Sequence, residues 1–345
     1  MTALRILSAG PGVTLQDGGR RAYLRFGVTG AGPMDPLAHA TANLAAGAAR
    51  DVGAIEVSPG GIELTSEGDA VSLAIAGGDF RITLDGQRLP SRALARIEPG
   101  AKLSIRPGDA GCWCYVAVAG RIDVKPTLGS IATHTRSNIG GLNGRALAAG
   151  DILPIASPRD LTDQPIVIVA PWLDRAKGPI RVVLGPQDDF FSGDQIAAFM
   201  QGPWTISARS DRMACLLDGP MLTHVKGFNI VSDGIAHGAI QVPGDGKPIV
   251  LMADRQPTGG YPKIATVIGA DIGRLAQMRP GSQIQFAAVD IAEAVAARRA
   301  DHDALAHGVE LTPLIRSDLS SELLLGLNLV GGVIDAANAR AADEL

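Results

Sequence analysis

The sequence is poor in cysteine, in aromatic residues, in net charge and in long apolar runs. Only 3 of the 345 residues are cysteine, an odd number that cannot form a disulfide framework, so we expect a reduced compartment. The formal net charge is −4, without the basic field that nucleic acids or anionic membranes select, so neither is an expected partner. The longest late apolar run, residues 323–334, is shorter than the ~20 residues of a spanning helix. The N-terminus lacks a signal-peptide pattern, and we expect a cytoplasmic protein.

Glycine and proline are abundant, with 43 and 22 residues. They divide residues 62–155 and the later chain into short apolar runs rich in β-branched and aromatic residues, which are typical of strands joined by tight turns. The pattern predicts a mainly β protein with a few short helices. A chain of 345 residues also exceeds the usual size of one domain, so two domains are expected.

A polar, proline-containing stretch at 157–165 separates two β-rich blocks and predicts the domain boundary. We place the first β domain at 1–160, the second at 161–288, and a C-terminal helix and tail at 289–345. Helices are predicted at 35–47, where Asp35 is the cap, at 192–200 and, with an amphipathic pattern, at 288–307.

Motifs of a self-sufficient active site are absent. The glycine-rich turns lack the spacing of a phosphate-binding loop, and the six histidines form neither H-x-H nor H-E-x-x-H, so no metal site is expected. Strand alternation places Cys112 and Cys114 on one face, where buried core is the favoured interpretation. No G-x-S-x-G elbow and no A-M-K-M segment for covalent biotin is present. Any chemistry therefore needs a partner or a diffusing ligand.

Polar residues gather in four clusters of glycine-rich turns, each of which is also compatible with a purely structural turn. The first spans residues 16–43; the second, 129–147, has two arginines beside a glycine pair, which suits an anion. In the third, GPQDDFF with SARSDRM, mutual salt bridges are favoured. In the fourth, 232–272, a strand leads into the turn PTGGYPK, where glycines permit close approach of a ligand. Alternation there places Asp254 and Gln256 on one face and Arg255 on the other.

The chain resembles a known family up to about residue 288. The resemblance rests on PGVTLQDGGR, GVTGAGPMD, GLNGRALAAGD, GPQDDFF, SARSDRM and GAIQVPGDGKPIVLMADRQPTGGYPKIA taken together. The family holds the C subunit of 5-oxoprolinase, allophanate hydrolase subunit 2, the antagonist of a sporulation-kinase inhibitor and the carboxyltransferase half of urea carboxylase. It implies two cyclophilin-like β-barrel domains.

The resemblance implies a component of a hydrolase, the C subunit of a bacterial ATP-dependent 5-oxoprolinase. A B subunit of similar fold would join it in activating 5-oxoproline, an A subunit would complete ring opening to glutamate, and ATP would be supplied to the complex. One alternative is a biotin-dependent carboxyltransferase acting on urea or a similar small amide, with biotin on a separate carrier. Another is a non-catalytic antagonist that binds a kinase-inhibitor partner. The chain departs from the family at Pro257, where the family usually reads Q-T-T-G-G-Y-P, and at 130–133, where it reads S-I-A-T in place of S-R-S-T. The loss of that arginine leaves the substrate open.

Candidate roles follow from residue type and from the matching motifs, because a developing charge needs cationic and backbone donors and because carboxylates and amides orient them. The residues expected to be catalytic are Asp254, Arg255, Gln256 and Lys263. Those expected to bind substrate are Gln16, Asp17, Arg20, Asp35, Arg136, Arg145, Gly259, Gly260 and Tyr261.

Overall fold

The computed structural model describes residues 2–175 and 177–314. This part of the chain is mainly β, with four short or medium α-helices, which confirms the predicted class. No described helix is both long and apolar enough to cross a membrane.

The strands are short except for two that run through the first sheet. They are β1 Ala3–Ala9, β2 Thr14–Gln16, β3 Ala54–Val57, β4 Ile62–Glu67, β5 Val71–Leu84, β6 Gln87–Leu89, β7 Ala93–Ile97, β8 Lys102–Val118, β9 Arg121–Ile122, β10 Ile152–Ala156, β11 Ile166–Val169, β12 Ile180–Leu184, β13 Trp204–Ile206, β14 Ala214–Asp218, β15 Asp233–Gly234, β16 Ala239–Gln241, β17 Ile249–Leu251, β18 Thr258–Gly259, β19 Lys263–Val267, β20 Gln283–Ile284, β21 Phe286–Ala288 and β22 Glu310–Pro313. The helices are α1 Pro36–Ala45, α2 Gly193–Gln201, α3 Gly269–Ala276 and α4 Ile291–Ala306.

The first sheet has twelve strands and is barrel-like and nearly closed. Its main path runs β22-β11-β7-β5-β8-β4-β1-β10-β9, with β2, β3 and β6 attached at its sides. One face of β5 and β8 encloses an apolar core that includes Leu73, Ile75 and Val116, all fully buried. Alternate apolar residues of these strands supply this core, because successive side chains of a strand point to opposite faces.

A β-bulge interrupts the pairing of β5 with β8. Gly77 faces Cys114 whereas Asp79 faces Ala110, so the register shifts between them. Extra residues in one strand disturb its side-chain alternation. Cys112 and Cys114 consequently lie in two separate apolar clusters, and the predicted shared face is wrong, although both cysteines are buried as expected.

The second sheet has eight strands in the order β20-β13-β14-β17-β16-β19-β12-β21. All its neighbours are antiparallel except β12 and β21, which are parallel. Phe199 of α2 stacks on Phe286 with ring centroids 4.6 Å apart and also contacts the buried Trp204, so this helix covers one end of the sheet. Strands β15 and β18 form a separate two-stranded ribbon.

The chain passes between the sheets after the stretch 157–165. Strand β11 pairs with β7 of the first sheet, and the second sheet begins at β12, so the crossing lies between Val169 and Ile180. Helix α4 begins at a capping box formed by Asp290 and Glu293, and β22 then pairs with β11. The domain limits 1–160, 161–288 and 289–345 remain predictions, and residues 315–345 lie outside the described part.

Two predicted helices begin where the sequence indicates. The Asp35 carboxylate accepts a hydrogen bond from the Ala38 amide at 3.2 Å and caps α1, and Ser192 caps α2 in the same manner. Helix α4 is also present, although most of its side chains are exposed and it is not strongly amphipathic. Helix α3 is not predicted, because glycines at its first and fifth positions weaken the helical pattern.

Candidate active site between the two sheets

A cleft of about 450 Å³ lies between the two sheets. Its walls are largely apolar and include Trp113 of the first sheet and Met252 and Met278 of the second part of the chain. Ligand pockets are commonly 300–1,000 Å³, mostly apolar, with a few polar groups that fix orientation. Here those groups include Arg212 and Asp254, so the cleft combines an apolar wall with a charged floor.

Arg212 is the central residue of that floor. Its Nε and Nη2 donate hydrogen bonds to the two carboxylate oxygens of Asp254 at 2.9 and 2.8 Å, and its Nη1 pairs with Glu56. Nη2 also donates to the Gly32 carbonyl at 2.8 Å. Because Glu56 and Gly32 belong to the first part of the chain, this guanidinium joins the two halves.

The network continues into the first sheet through Glu56, which is fully buried. Its Oε2 accepts hydrogen bonds from the Tyr115 hydroxyl at 2.7 Å and from the Met34 amide at 2.8 Å. The Tyr115 oxygen in turn accepts one from the Asp35 amide at 2.8 Å. We call Glu56, Tyr115, Arg212 and Asp254 the interface network.

The electrostatics of the interface network are those of mutually compensated buried charges. Burial raises the pKa of Glu56, and the Arg212 charge opposes that shift. Burial alone would lower the pKa of Arg212, but Glu56 and Asp254 together raise it above its ordinary value. The guanidinium therefore stays charged and compensates the two carboxylates that it contacts.

Asp35 lies behind this network and has both carboxylate oxygens occupied. Oδ1 accepts a hydrogen bond from Nη2 of Arg175 at 2.6 Å, and Oδ2 accepts one from Nε2 of Gln277 at 2.9 Å. The Gln277 Oε1 accepts hydrogen bonds from the amides of Cys112 and Trp113 at 2.8 and 3.0 Å, which are the amides exposed by the bulge. Asp35 thus links α1 to the second part of the chain; its predicted substrate role remains a prediction.

Arg136 stands at the rim of the cleft on a short 3-10 turn. Its Nη2 lies 2.9 Å from Oδ2 of Asp211, and both side chains are about half exposed. An exposed pair of this kind exchanges readily with solvent and contributes little to stability. Of the predicted site residues, Arg136 and Asp254 are those that line the cleft.

The predicted residues Gln16, Asp17 and Arg20 support the loop that carries Arg136. Gln16 is buried and donates to a carbonyl of the segment 127–133 at 3.0 Å. Asp17 accepts two hydrogen bonds from the same segment, at 2.5 and 2.7 Å, and Arg20 donates to its carbonyls. The first predicted cluster is therefore bound to the second one.

Lys263 belongs to a separate polar cluster beside the ribbon. Its side chain is buried, and its Nζ lies 3.0 Å from Oδ2 of the exposed Asp233, whose pKa it lowers. Gln256 approaches Gln241 at 3.4 Å, and its buried Oε1 has no partner in the described ranges. Tyr261 is partly exposed on the same side.

The glycines of the turn permit this packing. A Cβ at Gly259 would lie 2.6 Å from Nε2 of Gln241, so any side chain at position 259 would displace the Gln241 side chain. The carbonyl of Gly260 accepts a hydrogen bond from the Ile230 amide at 2.8 Å. Gln256, Gly259, Gly260, Tyr261 and Lys263 do not line the cleft, and their functional roles remain predictions.

Arg255 lies apart from its neighbours in sequence. It is buried, and its Nε donates to the Ile235 carbonyl at 3.0 Å, but no carboxylate of the described residues is within ion-pair distance, and burial lowers its pKa. The predicted shared face of Asp254 and Gln256 is not observed. Strand β17 ends at Leu251, so the alternation of side chains along a strand does not extend to these residues.

Arg145 is bound locally. Its Nη1 and Nη2 each donate to a different carboxylate oxygen of Asp151, both at 2.7 Å. Arg145 does not line the cleft. Its predicted substrate role remains a prediction. The mutual salt bridges expected within the third cluster are not observed: Asp189 pairs with Lys226, and Arg212 pairs across the molecule.

The sequence interpretation missed Glu56, Tyr115 and Gln277. Glu56 had a usable signal, since it is the only charged residue of the apolar strand AIEV. A buried carboxylate in such a strand requires a partner. Nothing local to Tyr115 or Gln277 indicates their role, which depends on contacts across 59 and 165 residues of sequence.

The chain is similar to known proteins over most of its length. The family model described as carboxyltransferase domain, subdomain A and B, matches residues 26–288. The 5-oxoprolinase C subunit of Escherichia coli (strain K12) is 38% identical over 303 residues, which cover 86% of this chain and 94% of that protein. The urea amidolyase of Saccharomyces cerevisiae is 32% identical over 309 residues, which cover 83% of this chain and 16% of that protein.

Solved structures agree with these matches. The crystal structure of the Kluyveromyces lactis urea carboxylase superimposes with a TM-score of 0.80 at 28% identity, covering 87% of this chain and 28% of that one. The agreement in both sequence and fold extends over both sheets. The chain therefore belongs to the carboxyltransferase domain, subdomain A and B, family.

Proposed function

We propose that this protein is the C subunit of an ATP-dependent 5-oxoprolinase, a hydrolase in which it acts with a B-type and an A-type subunit. One observation carries the proposal: the match spans 94% of the E. coli C subunit but only 16% of the S. cerevisiae urea amidolyase. The matched region thus accounts for nearly the whole of the first protein. In the second, the same module is one part of a much longer chain.

The cleft offers groups that suit a small lactam acid. 5-Oxoproline carries a carboxylate, a lactam N–H donor and a carbonyl oxygen that gains negative charge when it is activated. Preorganised donors stabilise such charge most effectively in a site that excludes water. Arg136 is exposed enough to turn toward an anionic group, and Asp254 has unused lone pairs that can accept the lactam N–H.

Arg212 has a positioning role in this proposal. Because its guanidinium is bound to Asp254 and Glu56, it is not free to clamp a ligand, but it fixes the direction of the Asp254 carboxylate. The polar cluster of Gln256 and Lys263 then shapes the turn that follows Asp254. We propose that Arg136 and Asp254 contact the substrate and that these other residues hold them in place.

The cleft does not fit a nucleotide triphosphate. It presents one half-exposed arginine, Arg136, and no phosphate-binding loop, whereas a triphosphate requires several converging donors. We therefore assign the use of ATP to the assembled complex and derive no step through ATP in this cleft.

Carboxyl transfer is the second candidate, and the family model that matches residues 26–288 favours it. The apolar walls of the cleft, including Trp113 and Met278, suit the ring of a biotin presented by a separate carrier. In that reaction, Arg136 would hold the transferred carboxylate, and the acceptor would be urea or a similar small amide.

The proposal is tested by reconstituting the chain with its B-type and A-type subunits and measuring ATP-dependent formation of glutamate from 5-oxoproline. Arg136→Ala is compared with Arg121→Ala. The two arginines are matched, since Arg121 is 59% exposed and 2.8 Å from Asp123, and Arg136 is 60% exposed and 2.9 Å from Asp211. A hydrogen bond to a charged group contributes about 1.5–3 kcal/mol, so kcat/KM should fall roughly 10- to 100-fold in Arg136→Ala and stay constant in Arg121→Ala.

Equal losses in the two variants would show that the cleft is not the site. A reconstituted mixture that leaves 5-oxoproline intact, yet discharges a carboxybiotin donor onto a small amide, would replace the first function by the second.

A further inference from the structure

A second cavity, of about 340 Å³, shares no lining residue with the cleft. It lies where the N-termini of α1 and α3 meet α4. Three arginines line it, Arg50, Arg175 and Arg298, together with the two acids Asp35 and Asp301. With the histidines neutral, the formal charge of these five groups is positive by one. We call this cavity the arginine pocket.

Donors in the arginine pocket lack acceptors. Nε and Nη1 of Arg175 are buried without an acceptor in the described part of the chain. Nε2 of His237, which donates in one neutral tautomer and accepts in the other, is also buried without a partner there. The side chains of Arg50 and Arg298 form neither a hydrogen bond nor an ion pair with any described residue, whereas Arg212 of the interface network has two carboxylates. Arg298 is exposed and Arg50 partly exposed, so water can solvate both, but the buried nitrogens of Arg175 are unfavourable without an acceptor, and a ligand that accepts their hydrogen bonds would remove that cost.

Two glycines of α3 make room for these arginines. A Cβ at Gly269 would lie 2.5 Å from Nη1 of Arg298, and a Cβ at Gly273 would lie 2.7 Å from Nη1 of Arg175. Positions four apart occupy the same face of a helix, so both guanidinium groups rest on one face of α3. A side chain at position 269 would displace the end of Arg298, and one at position 273 would displace Arg175 together with the Asp35 carboxylate.

The beginning of α3 adds backbone donors at the same place. Its N-cap, Ile268, has no side-chain hydrogen bond to the first turn, and Gly269 and Ala270 line the pocket. The first amides of a helix have no acceptor within the helix, and the helix dipole makes this end positive. The guanidinium of Arg298 therefore lies beside the positive end of this helix, and an anion bound between them would interact favourably with both.

We propose that the arginine pocket binds a phosphate group, either as inorganic phosphate or as part of a phosphorylated ligand. A tetrahedral oxyanion accepts hydrogen bonds in several directions and matches guanidinium groups that converge from separate segments, while a planar carboxylate uses fewer of them. The proposal does not depend on the function assigned to the cleft.

Calorimetric titration of the full chain with inorganic phosphate at constant ionic strength tests this site, with acetate as the comparison anion. Wild type should bind one phosphate saturably and more tightly than acetate. Arg298→Ala should weaken binding at least about tenfold, because it removes a charged donor. Arg299→Ala is the matched control, an adjacent exposed arginine of α4 that does not line the pocket, and it should leave binding unchanged.

Gly269→Ala provides a second route that keeps every charge. Its backbone is not in the left-handed region, so alanine is compatible with the helix, but the new methyl group occupies the place of Nη1 of Arg298. Phosphate binding should again weaken. Titration with AMP and ATP tests one phosphorylated source. Tighter binding than inorganic phosphate, lost in Arg298→Ala, identifies a nucleotide phosphate, and equal or weaker binding excludes it.

Absence of saturable phosphate binding to the wild type would overturn the proposal. So would equal affinity in wild type and Arg298→Ala, or equal affinity for acetate and phosphate. Because the readout is binding rather than turnover, these outcomes leave the test of the cleft unaffected.

Discussion

The interface network and the arginine pocket are both rich in buried or half-buried charge, and both lie where the two parts of the chain meet. In the interface network, Arg212 is bound by Asp254 and Glu56, and the Glu56 carboxylate also accepts two uncharged donors. In the arginine pocket, buried nitrogens of Arg175 and His237 have no acceptor among the residues described. The two regions use similar residue types but differ in how completely each charge is paired.

This difference separates a structural role from a binding role. A buried ion pair whose charges compensate each other holds two segments in one geometry, and in the interface network only the remaining lone pairs of Asp254 are left for a ligand. Unpaired donors are unfavourable in the free protein and become favourable only when an acceptor arrives. The comparison therefore predicts that removal of Arg212, whose nitrogens are all held by the interface network, affects mainly stability, while changes in the arginine pocket affect mainly binding.

The largest effect is expected for Arg212→Ala. Removing one partner of a buried pair leaves an uncompensated charge, here on Asp254 and Glu56, and costs about 3–5 kcal/mol. Urea unfolding of the isolated chain measures this loss. Arg209→Ala, which changes an exposed arginine three residues earlier, should alter the free energy of unfolding by less than about 0.5 kcal/mol. If the two variants were equally stable, the interface network would not hold the two parts together.

A smaller loss of stability is expected when the pH is lowered, because of His237. Burial, followed by the charges of Arg255, Arg212 and Arg298, lowers the pKa of this histidine from 6.5 to about 3. Between these values the unfolded chain takes up a proton that the folded chain does not, so stability falls as the pH decreases below 6.5. At pH 5 this group alone should cost about 2 kcal/mol relative to pH 7.

Urea unfolding at pH 7 and pH 5 checks the sign. His237→Asn should lose about 2 kcal/mol less than wild type over that interval, whereas His307→Asn, which alters an exposed histidine at the end of α4, should retain the wild-type dependence. An NMR titration that found the pKa of His237 near 6.5 would contradict the assignment.

The smallest effect is expected for Arg255→Met, which removes a buried guanidinium that has carbonyl partners but no carboxylate among the described residues. Apolar replacement of a buried charge of similar volume is often neutral or stabilising, so the free energy of unfolding should change by no more than about 1.5 kcal/mol. Chemical denaturation again measures it. A loss as large as that of Arg212→Ala would mean that Arg255 is as fully paired as Arg212, and the distinction between the two arginines would disappear.

Local signals predicted much of the fold. The N-terminal ends of α1 and α2 follow from Asp35 and Ser192, because the side chain of an N-cap residue accepts a hydrogen bond from an amide two or three residues later. The mainly β class follows from short apolar runs between glycines and prolines. Helix α3 was not predicted, since it has glycines at the positions where arginines of other segments pack. The bulge of β8 was not predicted either, since it depends on the pairing with β5.

The candidate site was predicted in part. Arg136 and Asp254 were selected from their motifs, and both line the cleft. Arg145 was selected for the same reasons as Arg136, but the structure binds it to Asp151. Both arginines belong to the same glycine-rich segment, 129–147. Only their positions in the folded structure distinguish them.

The amino-acid sequence by itself determined the class of fold, the positions of capped helices and the family, because these depend on local propensity and on motifs that are contiguous in the chain. The tertiary structure alone decided which charges are paired. Arg212 meets Glu56 across 156 residues, and Arg175 meets Asp35 across 140 but keeps two nitrogens without acceptors among the residues that the structure describes. The energy of a charge depends on its burial and on neighbours within a few ångströms, and neither is encoded in its sequence neighbourhood.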